Sequence, residues 1–206
     1  DVDSCRVRSR PSRAFRAYGT RRVTTKFGRR AVARAELQSF FDAFAGSGRV
    51  SHHFRNRYKI VANDRQSYTK VILEAYLQNT KDSQYYLGAI SHLNNLPDTH
   101  WMKTDGWYMN TYGAPENNGS AIGSDGNPKP WVDYNAKKID SIRYEIDEMY
   151  SEDCVEKSVL LLSLMLGVSR ISNWMGHQTG YFKDWKKGKL RKLNLELPPI
   201  ESSHSY

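Results

Sequence analysis

Apolar positions in the first third of the chain predict two short strands separated by a turn and a helix. One run covers Ser39 to Phe44, and a second covers Tyr58 to Asn63. The residues between them, Arg49 to Arg57, follow a glycine-rich turn and predict a helix. A further short helix is predicted over Val32 to Gln38. Because a crossover through a helix joins parallel strands, we expect a parallel β-turn-helix-β unit here.

Helical spacing dominates the remainder of the chain. Gln66 to Asn79 carries apolar residues at helical spacing, and a second helix is predicted over Ser83 to Asn95, where Pro97 ends it. The pattern resumes at Tyr134, with isoleucines at steps of three and four. The stretch from Leu160 to Leu166 is apolar nearly all round, so this helix is predicted to be central to the second half.

One segment interrupts the helical pattern. Thr104 to Pro130 is rich in glycine and proline and poor in aliphatic residues, which predicts a long irregular loop. Five aromatic residues lie in or beside it: Trp101, Trp107, Tyr108, Tyr112 and Trp131. They could stack on bases, or they could attach the loop to the body of the protein, and we favour the second role.

Charge divides the chain differently from hydrophobicity. The 206 residues carry a net charge of +9, and all of it comes from residues 1–34, where eleven Arg and Lys residues face Asp1 and Asp3 (11 − 2 = 9). Residues 35–206 therefore hold 20 basic and 20 acidic residues. A basic arm of this kind can contact phosphates, although a solvated tail is the alternative. We expect three parts: the arm (1–34), a cofactor-binding part (35–80) and a mostly helical part (81–200).

Composition also bears on location and on metals. No run of 18 apolar residues suits a membrane span, and the arm lacks the apolar core of a secretory signal. Two cysteines are too few for a disulfide framework, so we expect a cytoplasmic protein without a membrane partner. The six histidines show no ligand spacing with cysteine or acid, and no metal site is expected.

The two predicted strands each end in an acid, which suggests a nucleoside site. Asp42 precedes the Gly46-Ser47-Gly48 turn, and Asp64 follows the second strand. Glycines allow positive φ and close approach of the backbone to a ligand, and an acid at the second strand end can accept hydrogen bonds from ribose hydroxyls. Capping of the two strand ends by these acids is the structural alternative.

A second pattern, near the C-terminal end, competes with the first. The stretch from Gly176 to Lys189 imitates the end of a helix-turn-helix, with a turn glycine before a recognition helix. Gly180 would then lie inside that helix, at a cost of about 1 kcal/mol relative to alanine. This pattern predicts a non-enzymatic DNA-binding protein, and it leaves the two strand-end acids unexplained.

Four separate blocks resemble the D12 class of adenine-specific DNA methyltransferases, over roughly residues 17–200. Asp42 to Ser51 is similar to the family motif D-x-F-x-G-S/T-G-x-V-S/A, and Val61 to Asp64, followed by Tyr68, is similar to its second motif. Asn135 to Arg143 is similar to the N-A-x-x-I-D-x-I-R helix and is the most specific match. Leu161 to Pro198 is similar to the adjoining helical region.

The resemblance implies an α/β fold, namely a Rossmann-like half-domain of an S-adenosylmethionine-dependent methyltransferase with a largely helical insertion in the target-recognition region. It implies that Asp42 orders the turn or the amino-acid end of the cofactor and that Asp64 holds its ribose. The other residues implied to bind the cofactor are Phe44, Gly46, Ser47, Gly48 and, by a loose match to the family's Y-I-G-S-K element, Tyr18 and Gly19.

The same resemblance implies double-stranded DNA as the partner and N6 of adenine as the methyl acceptor. A basic series near the C-terminal end is predicted to follow the phosphates, with a solvated face as the alternative. Its members are Lys183, Lys186, Lys187, Lys189, Arg191 and Lys192.

The chain departs from the family pattern at the catalytic motif. The family's D/N/S-P-P-Y/F/W tetrapeptide holds the adenine, but Pro198-Pro199 is flanked by Leu197 and Ile200. We therefore assign no catalytic residue and expect a fragment, a degenerate copy or one part of a split enzyme. A restriction endonuclease or a complementing C-terminal portion is the expected protein partner, and a methyltransferase with another substrate stays as a third hypothesis.

Overall fold

A computed structural model describes residues 38–116, 118–175 and 180–200 and shows short parallel strands beside a group of helices. In chain order the elements are β1 (Ser39–Asp42), α1 (Arg49–Phe54), β2 (Lys59–Ala62), α2 (Ser67–Leu77), α3 (Ser83–Asn94), α4 (Trp107–Tyr112), β3 (Gly113–Ala114), β4 (Trp131–Val132), α5 (Asp133–Met149) and α6 (Val155–Ile171). Single 3₁₀ turns cover His100–Lys103 and Lys187–Lys189. The helix predicted over residues 32–38 falls almost entirely outside the described residues.

The predicted β-turn-helix-β unit is confirmed. β1 and β2 pair in parallel, with Phe40 opposite Ile60 and Asp42 opposite Ala62. Helix α1 is shorter than the predicted stretch, because the amide groups of Arg57 and Tyr58 both donate to the Phe54 carbonyl and turn the chain back into β2. The Phe54 ring packs 5.0 Å from the Phe40 ring, which holds α1 against the sheet.

The core lies among the helices rather than around β1 and β2. Helices α2, α3, α5 and α6 contribute its fully buried side chains: Ile72, Tyr86, Leu93, Ile139, Ile142, Ile146, Val159, Leu160 and Leu162. The helices over 66–79, 83–95 and from 134 are confirmed, and so is the central position of α6. None of the helices in the described part of the chain is long and apolar enough to cross a bilayer.

Residues on both sides of the expected boundary near residue 80 share this core. Ile72 and Ala75 of α2 pack in the same cluster as Tyr86 of α3 and the leucines of α6. Leu193 and Leu195, from the extended stretch after α6, close the cluster over Gly167, where an added Cβ would lie 3.0 Å from Leu193. The division into parts at residue 80 stays a prediction.

The prediction of one irregular loop over Thr104 to Pro130 is wrong at its start, where α4 and β3 form. The Asp140 carboxylate, from α5, accepts hydrogen bonds of 2.9 Å from the amides of Tyr108 and Met109 and so holds the first turn of α4. A local pattern cannot show a cap that arrives from a distant helix. The rings of Tyr108 and Tyr112 pack against Trp131, which attaches this segment to the body as we favoured.

The helix-turn-helix interpretation is also wrong for the described part of the segment. Residues 180–200 contain no α-helix; Tyr181 pairs in an antiparallel bridge with Trp174, and Asp184 pairs with Ser120. The buried Asn173 side chain donates to the Phe182 and Asp184 carbonyls and fixes this extended path. A recognition helix would require these carbonyls to bond within the segment itself.

Candidate functional site

The glycine turn and Asp64 lie side by side at one edge of the β1–β2 sheet. Because the strands are parallel, their C-terminal ends adjoin. The ladder continues past them: the Asn63 amide donates to the Asp42 carbonyl at 2.8 Å, and the Ala45 amide donates to the Asn63 carbonyl at 2.9 Å. Polar groups from two separate motifs therefore converge where open α/β sheets bind their ligands.

Asp64 connects the two motifs directly. One carboxylate oxygen accepts from the Gly46 amide and the other from the Gln66 amide, both at 2.9 Å. These bonds, first from Gln66 and then from Gly46, lower the pKa of Asp64, so its carboxylate is ionised at neutral pH. The capping role left open by the sequence is thus present. The Arg65 amide and the Thr69 hydroxyl contribute less to this lowering of the pKa, and the half-buried carboxylate is still accessible to a ligand hydroxyl.

Glycine is required at the two turn positions, 46 and 48, for different structural reasons. Gly46 has φ +51° and an open surrounding, so only its backbone conformation requires glycine. Gly48 has φ +68°, and a Cβ there would lie 3.1 Å from the Leu73 side chain on α2. The turn is therefore held close to α2, with the Gly46 amide directed to Asp64.

Asp42 is held by a residue that the sequence analysis did not single out. The buried Ser51 hydroxyl, on α1, donates to the Asp42 carboxylate at 2.6 Å. This contact supports the turn-ordering role over direct contact with a ligand. The signal was available, since Ser51 occupies the small-residue position that ends the D-x-F-x-G-S/T-G-x-V-S/A motif.

The remaining predicted cofactor residues are distributed as follows. Ser47 is half-buried within the turn, whereas the Phe44 side chain is 92% exposed. Tyr18 and Gly19 lie outside the described residues. The structure thus brings together Asp42, the Gly46–Gly48 turn and Asp64, and their role toward a cofactor stays a prediction.

The most specific motif, on α5, acts through long-range hydrogen bonds. The buried Asn135 amide donates to the Arg191 carbonyl at 2.9 Å, and its oxygen accepts from the Leu193 amide at 2.8 Å. Asn94, on α3, makes the same pair of bonds to Leu195. Asn135 and Asn94 therefore hold the extended chain after α6, much as a neighbouring strand would. The signal for Asn135 was the motif itself, of which it is the first residue; the sequence carried no comparable signal for Asn94.

The predicted DNA-contacting lysines separate into two groups. Lys183, Lys186 and Lys187 are exposed, and the Lys186 ammonium lies 4.6 Å from the centre of the Phe182 ring. Lys189 instead donates to the Arg170 carbonyl at 3.0 Å, and burial lowers its pKa. The first three are available to phosphates in this conformation, whereas Lys189 is occupied.

Histidines meet a carboxylate at one place in the helical part. Glu145, on α5, lies 2.7 Å from His92 Nε2 and 3.0 Å from His100 Nε2. The hydrogen bond from His92 is the main cause that lowers the pKa of Glu145. Within the residues that the structure describes, no three His, Cys or carboxylate side chains are grouped so as to hold a metal ion.

Comparison with known proteins finds the same family in two ways. The model of the D12 class N6 adenine-specific DNA methyltransferases matches residues 31–204. The chain is 30% identical to modification methylase LlaI of Lactococcus lactis subsp. lactis over 175 residues, which cover 82% of this chain and 26% of that protein. It is 27% identical to type II methyltransferase M.NlaIII of Neisseria lactamica over 161 residues, which cover 76% of this chain and 44% of that protein.

A third relative is likewise matched over most of this chain but over only part of its own length. Type II methyltransferase M.FokI of Planomicrobium okeanokoites is 25% identical over 169 residues, which cover 80% of this chain and 26% of that protein. The chain thus spans about a quarter to under half of the length of these relatives. No solved structure matches it. With most of its residues matched by the family model, the chain belongs to the D12 class N6 adenine-specific DNA methyltransferase family.

Proposed function

We propose that this chain works in the S-adenosylmethionine-dependent methylation of adenine N6 in DNA, with residues 42–64 forming part of the cofactor site. The observation that carries the proposal is the meeting of the two motifs at one sheet edge, where the Gly46 amide donates to Asp64. Modification methylases among the relatives support the reaction. A cognate restriction endonuclease is the proposed companion, and cytoplasmic DNA the proposed setting.

The described residues fit the cofactor. Asp64 is an ionised acceptor that two backbone amides hold in place, and its half-buried carboxylate is accessible to ribose hydroxyls. Gly46 leaves space where its Cβ would be, so a ligand can approach the backbone. When bound, S-adenosylmethionine supplies a methyl group made electrophilic by its sulfonium. The chain's own part is to hold the ribose and to keep the turn ordered through Asp42 and Ser51.

Methylation of adenine also requires groups that we assign to no described residue. The lone pair of N6 is delocalised into the ring, so the base must leave the stack and be held by an acceptor and an aromatic ring. Positioning of N6 in line with the methyl group then accounts for much of the acceleration. We propose that such an adenine clamp comes from a complementing portion of the enzyme.

The open surface of the β1–β2 sheet supports a complementing portion. Phe41 and Val61 face each other across the strand pair, 63% and 52% exposed, although parallel sheets are normally covered on both faces. On the other face, a cleft of about 250 Å³ runs along β2 and is lined by Ile60, Ala62 and Leu73. We propose that further strands extend this pair into a Rossmann-like sheet.

Calorimetric titration of the 206-residue chain with S-adenosylmethionine tests the cofactor assignment. We expect saturable binding that Asp64→Ala abolishes and Asp64→Asn weakens, because asparagine keeps one acceptor oxygen. Asp98→Ala is the matched control, since Asp98 is an exposed carboxylate outside the site. Binding that is absent, or equal in the wild type and Asp64→Ala, would overturn the cofactor assignment.

A further inference from the structure

Six aromatic side chains in the C-terminal half form two groups of contacting rings, which we together call the aromatic band. They are Trp107, Tyr108, Tyr112, Trp131, Tyr181 and Trp174. Ring centres lie 5.3 Å apart between Trp107 and Tyr112, and 5.7 Å apart between Tyr112 and Trp131. At the other end, the Trp174 and Tyr181 rings are 5.8 Å apart. The chain segments that carry the two groups are joined by hydrogen bonds: the Trp131 indole donates to the Ser172 hydroxyl at 2.9 Å, and the Asn173 amide donates to the Pro130 carbonyl at 2.8 Å.

The interior and the ends of the aromatic band differ. Trp131 donates from its indole nitrogen to the Ser172 hydroxyl at 2.9 Å, and Tyr108, Tyr112 and Tyr181 are partly buried. Trp107 and Trp174, at the two ends, are 50% and 41% exposed. The interior rings attach the 104–131 segment to the body. The two end rings have large open surfaces that the packing of the described residues does not use.

Positive charge adjoins the band. Residues 180–192 carry six basic residues and one acid, Asp184. Lys183, Lys186 and Lys187, which follow Tyr181 along the chain, are exposed. Near the other end the charges are mixed: the Lys137 ammonium lies 5.0 Å from the centre of the Trp101 ring, and the Asp105 carboxylate accepts from the Trp107 amide. Exposed rings beside a positive surface suit a nucleic acid with accessible base faces.

We propose that the aromatic band is a base-contacting surface for DNA, on which Trp107 and Trp174 stack against the partly unstacked bases beside an extruded adenine. The inference rests on the proposed function, because methylation of N6 requires an extruded adenine and leaves its neighbours partly unstacked. The exposed lysines contact phosphates and contribute equally to any sequence. Rings and lysines therefore make different contributions to binding.

Fluorescence anisotropy with two labelled duplexes separates these contributions. One duplex is fully paired, and the other carries a single adenine opposite an abasic site, which is cheaper to extrude. We expect the full chain to bind the second duplex more tightly. Trp107→Ala and Trp174→Ala should each weaken that binding about 5- to 150-fold, the range for loss of one base–aromatic stack, with a smaller effect on the paired duplex. Trp107→Phe should retain most of the affinity.

Two controls complete the experiment. Tyr85 is 51% exposed but belongs to a separate ring pair with Tyr86, so Tyr85→Ala should change neither affinity. Lys186→Gln and Lys187→Gln should weaken binding of both duplexes alike and each reduce the salt slope by about 1. Thermal melting of every variant reports on folding, and an exposed tryptophan should be replaceable without loss of the fold.

The outcomes distinguish this inference from the proposed function. If Trp107→Ala and Trp174→Ala bind both duplexes as the wild type does, the base-contacting surface is overturned while DNA methylation stands. If the chain binds S-adenosylmethionine but neither duplex, both the surface and DNA as acceptor are overturned. If only the lysine variants lose affinity, the phosphate contacts remain and the stacking role is overturned.

Discussion

Two regions of this protein bury their apolar residues to very different extents. In the helical body, by which we mean residues 67–171, Leu160, Leu162 and Ile142 are completely buried. In the sheet region, residues 38–66, the strands have four residues each, and Phe41 and Val61 are more than half exposed. The residues proposed to bind the cofactor thus lie in the sheet region, where apolar side chains are more exposed. The helical body supplies the stability, and its helix α2 supports the turn through Leu73 and Gly48.

Because of this difference in burial, most of the stability comes from one region and the candidate cofactor site lies in the other. A region with few buried apolar contacts and exposed backbone opens locally at lower free energy than the core. Ligand-binding loops commonly lie in such regions, where a cofactor or a further strand can enter. Four experiments test how sharply stability and the candidate site are divided between the two regions.

The largest effect is expected from a cavity in the helical body. Leu162→Ala removes a completely buried side chain, so the free energy of unfolding should fall by about 2–5 kcal/mol. Val61→Ala, in the sheet region, should change it by about 0.5 kcal/mol or less, because Val61 is 52% exposed. Urea unfolding of both variants measures the difference. Comparable losses would show that the two regions share one core.

A smaller loss of stability is expected when the hydrogen bonds between Asp140 and helix α4 are removed. Asp140→Ala would leave the partly buried amide groups of Tyr108 and Met109 without their acceptor, which should cost about 1–3 kcal/mol. Asp98→Ala, at an exposed carboxylate, should have little effect. Urea unfolding gives the total, and hydrogen exchange at α4 localises it. Unchanged exchange at residues 107–112 would contradict the capping role.

Replacing a glycine by alanine should change the stability in opposite directions in the two regions. Gly48→Ala places a side chain at φ +68° and close to Leu73, which should destabilise the protein by about 1–2 kcal/mol. Gly88 lies within α3 with no atom within 4 Å of an added Cβ, so Gly88→Ala should stabilise it by about 0.5–1 kcal/mol. Thermal melting measures both. If the melting temperatures of the two variants shift in the same direction, the requirement for glycine at position 48 is contradicted.

The smallest effect is a local titration of the turn. The pKa of Asp64 is lowered by the Gln66 and Gly46 amides, so its contribution to turn stability is present above the unfolded pKa and lost as pH falls through the folded one. NMR should show the Gly46 amide resonance shifting with Asp64 only below about pH 4, near the ordinary aspartate value. In Asp64→Asn the shift should disappear. A midpoint above that pH would mean that the two amides do not hold the carboxylate in solution.

Local patterns were sufficient for the elements and for part of the candidate site. Periods of three and four predicted α2 and α5, the apolar stretch from Leu160 to Leu166 predicted α6, and short apolar runs predicted the parallel β1–β2 pair. The helix-turn-helix interpretation failed because a residue pattern says nothing about the Asn173 side chain that fixes residues 182–184 in an extended path. The prediction of a long loop failed for a similar reason, through Asp140.

The hydrophobic periods, the glycine turn and the motifs that identify the family follow from the order of the amino acids, because each depends on residues close together along the chain. Three contacts follow only from the folded chain: the Gly46 amide donates to Asp64, the Leu193 amide donates to Asn135, and the Trp131 indole donates to Ser172 between the two aromatic groups. The partners in these contacts are far apart along the chain, and they meet because burial of the helical core fixes where each element lies.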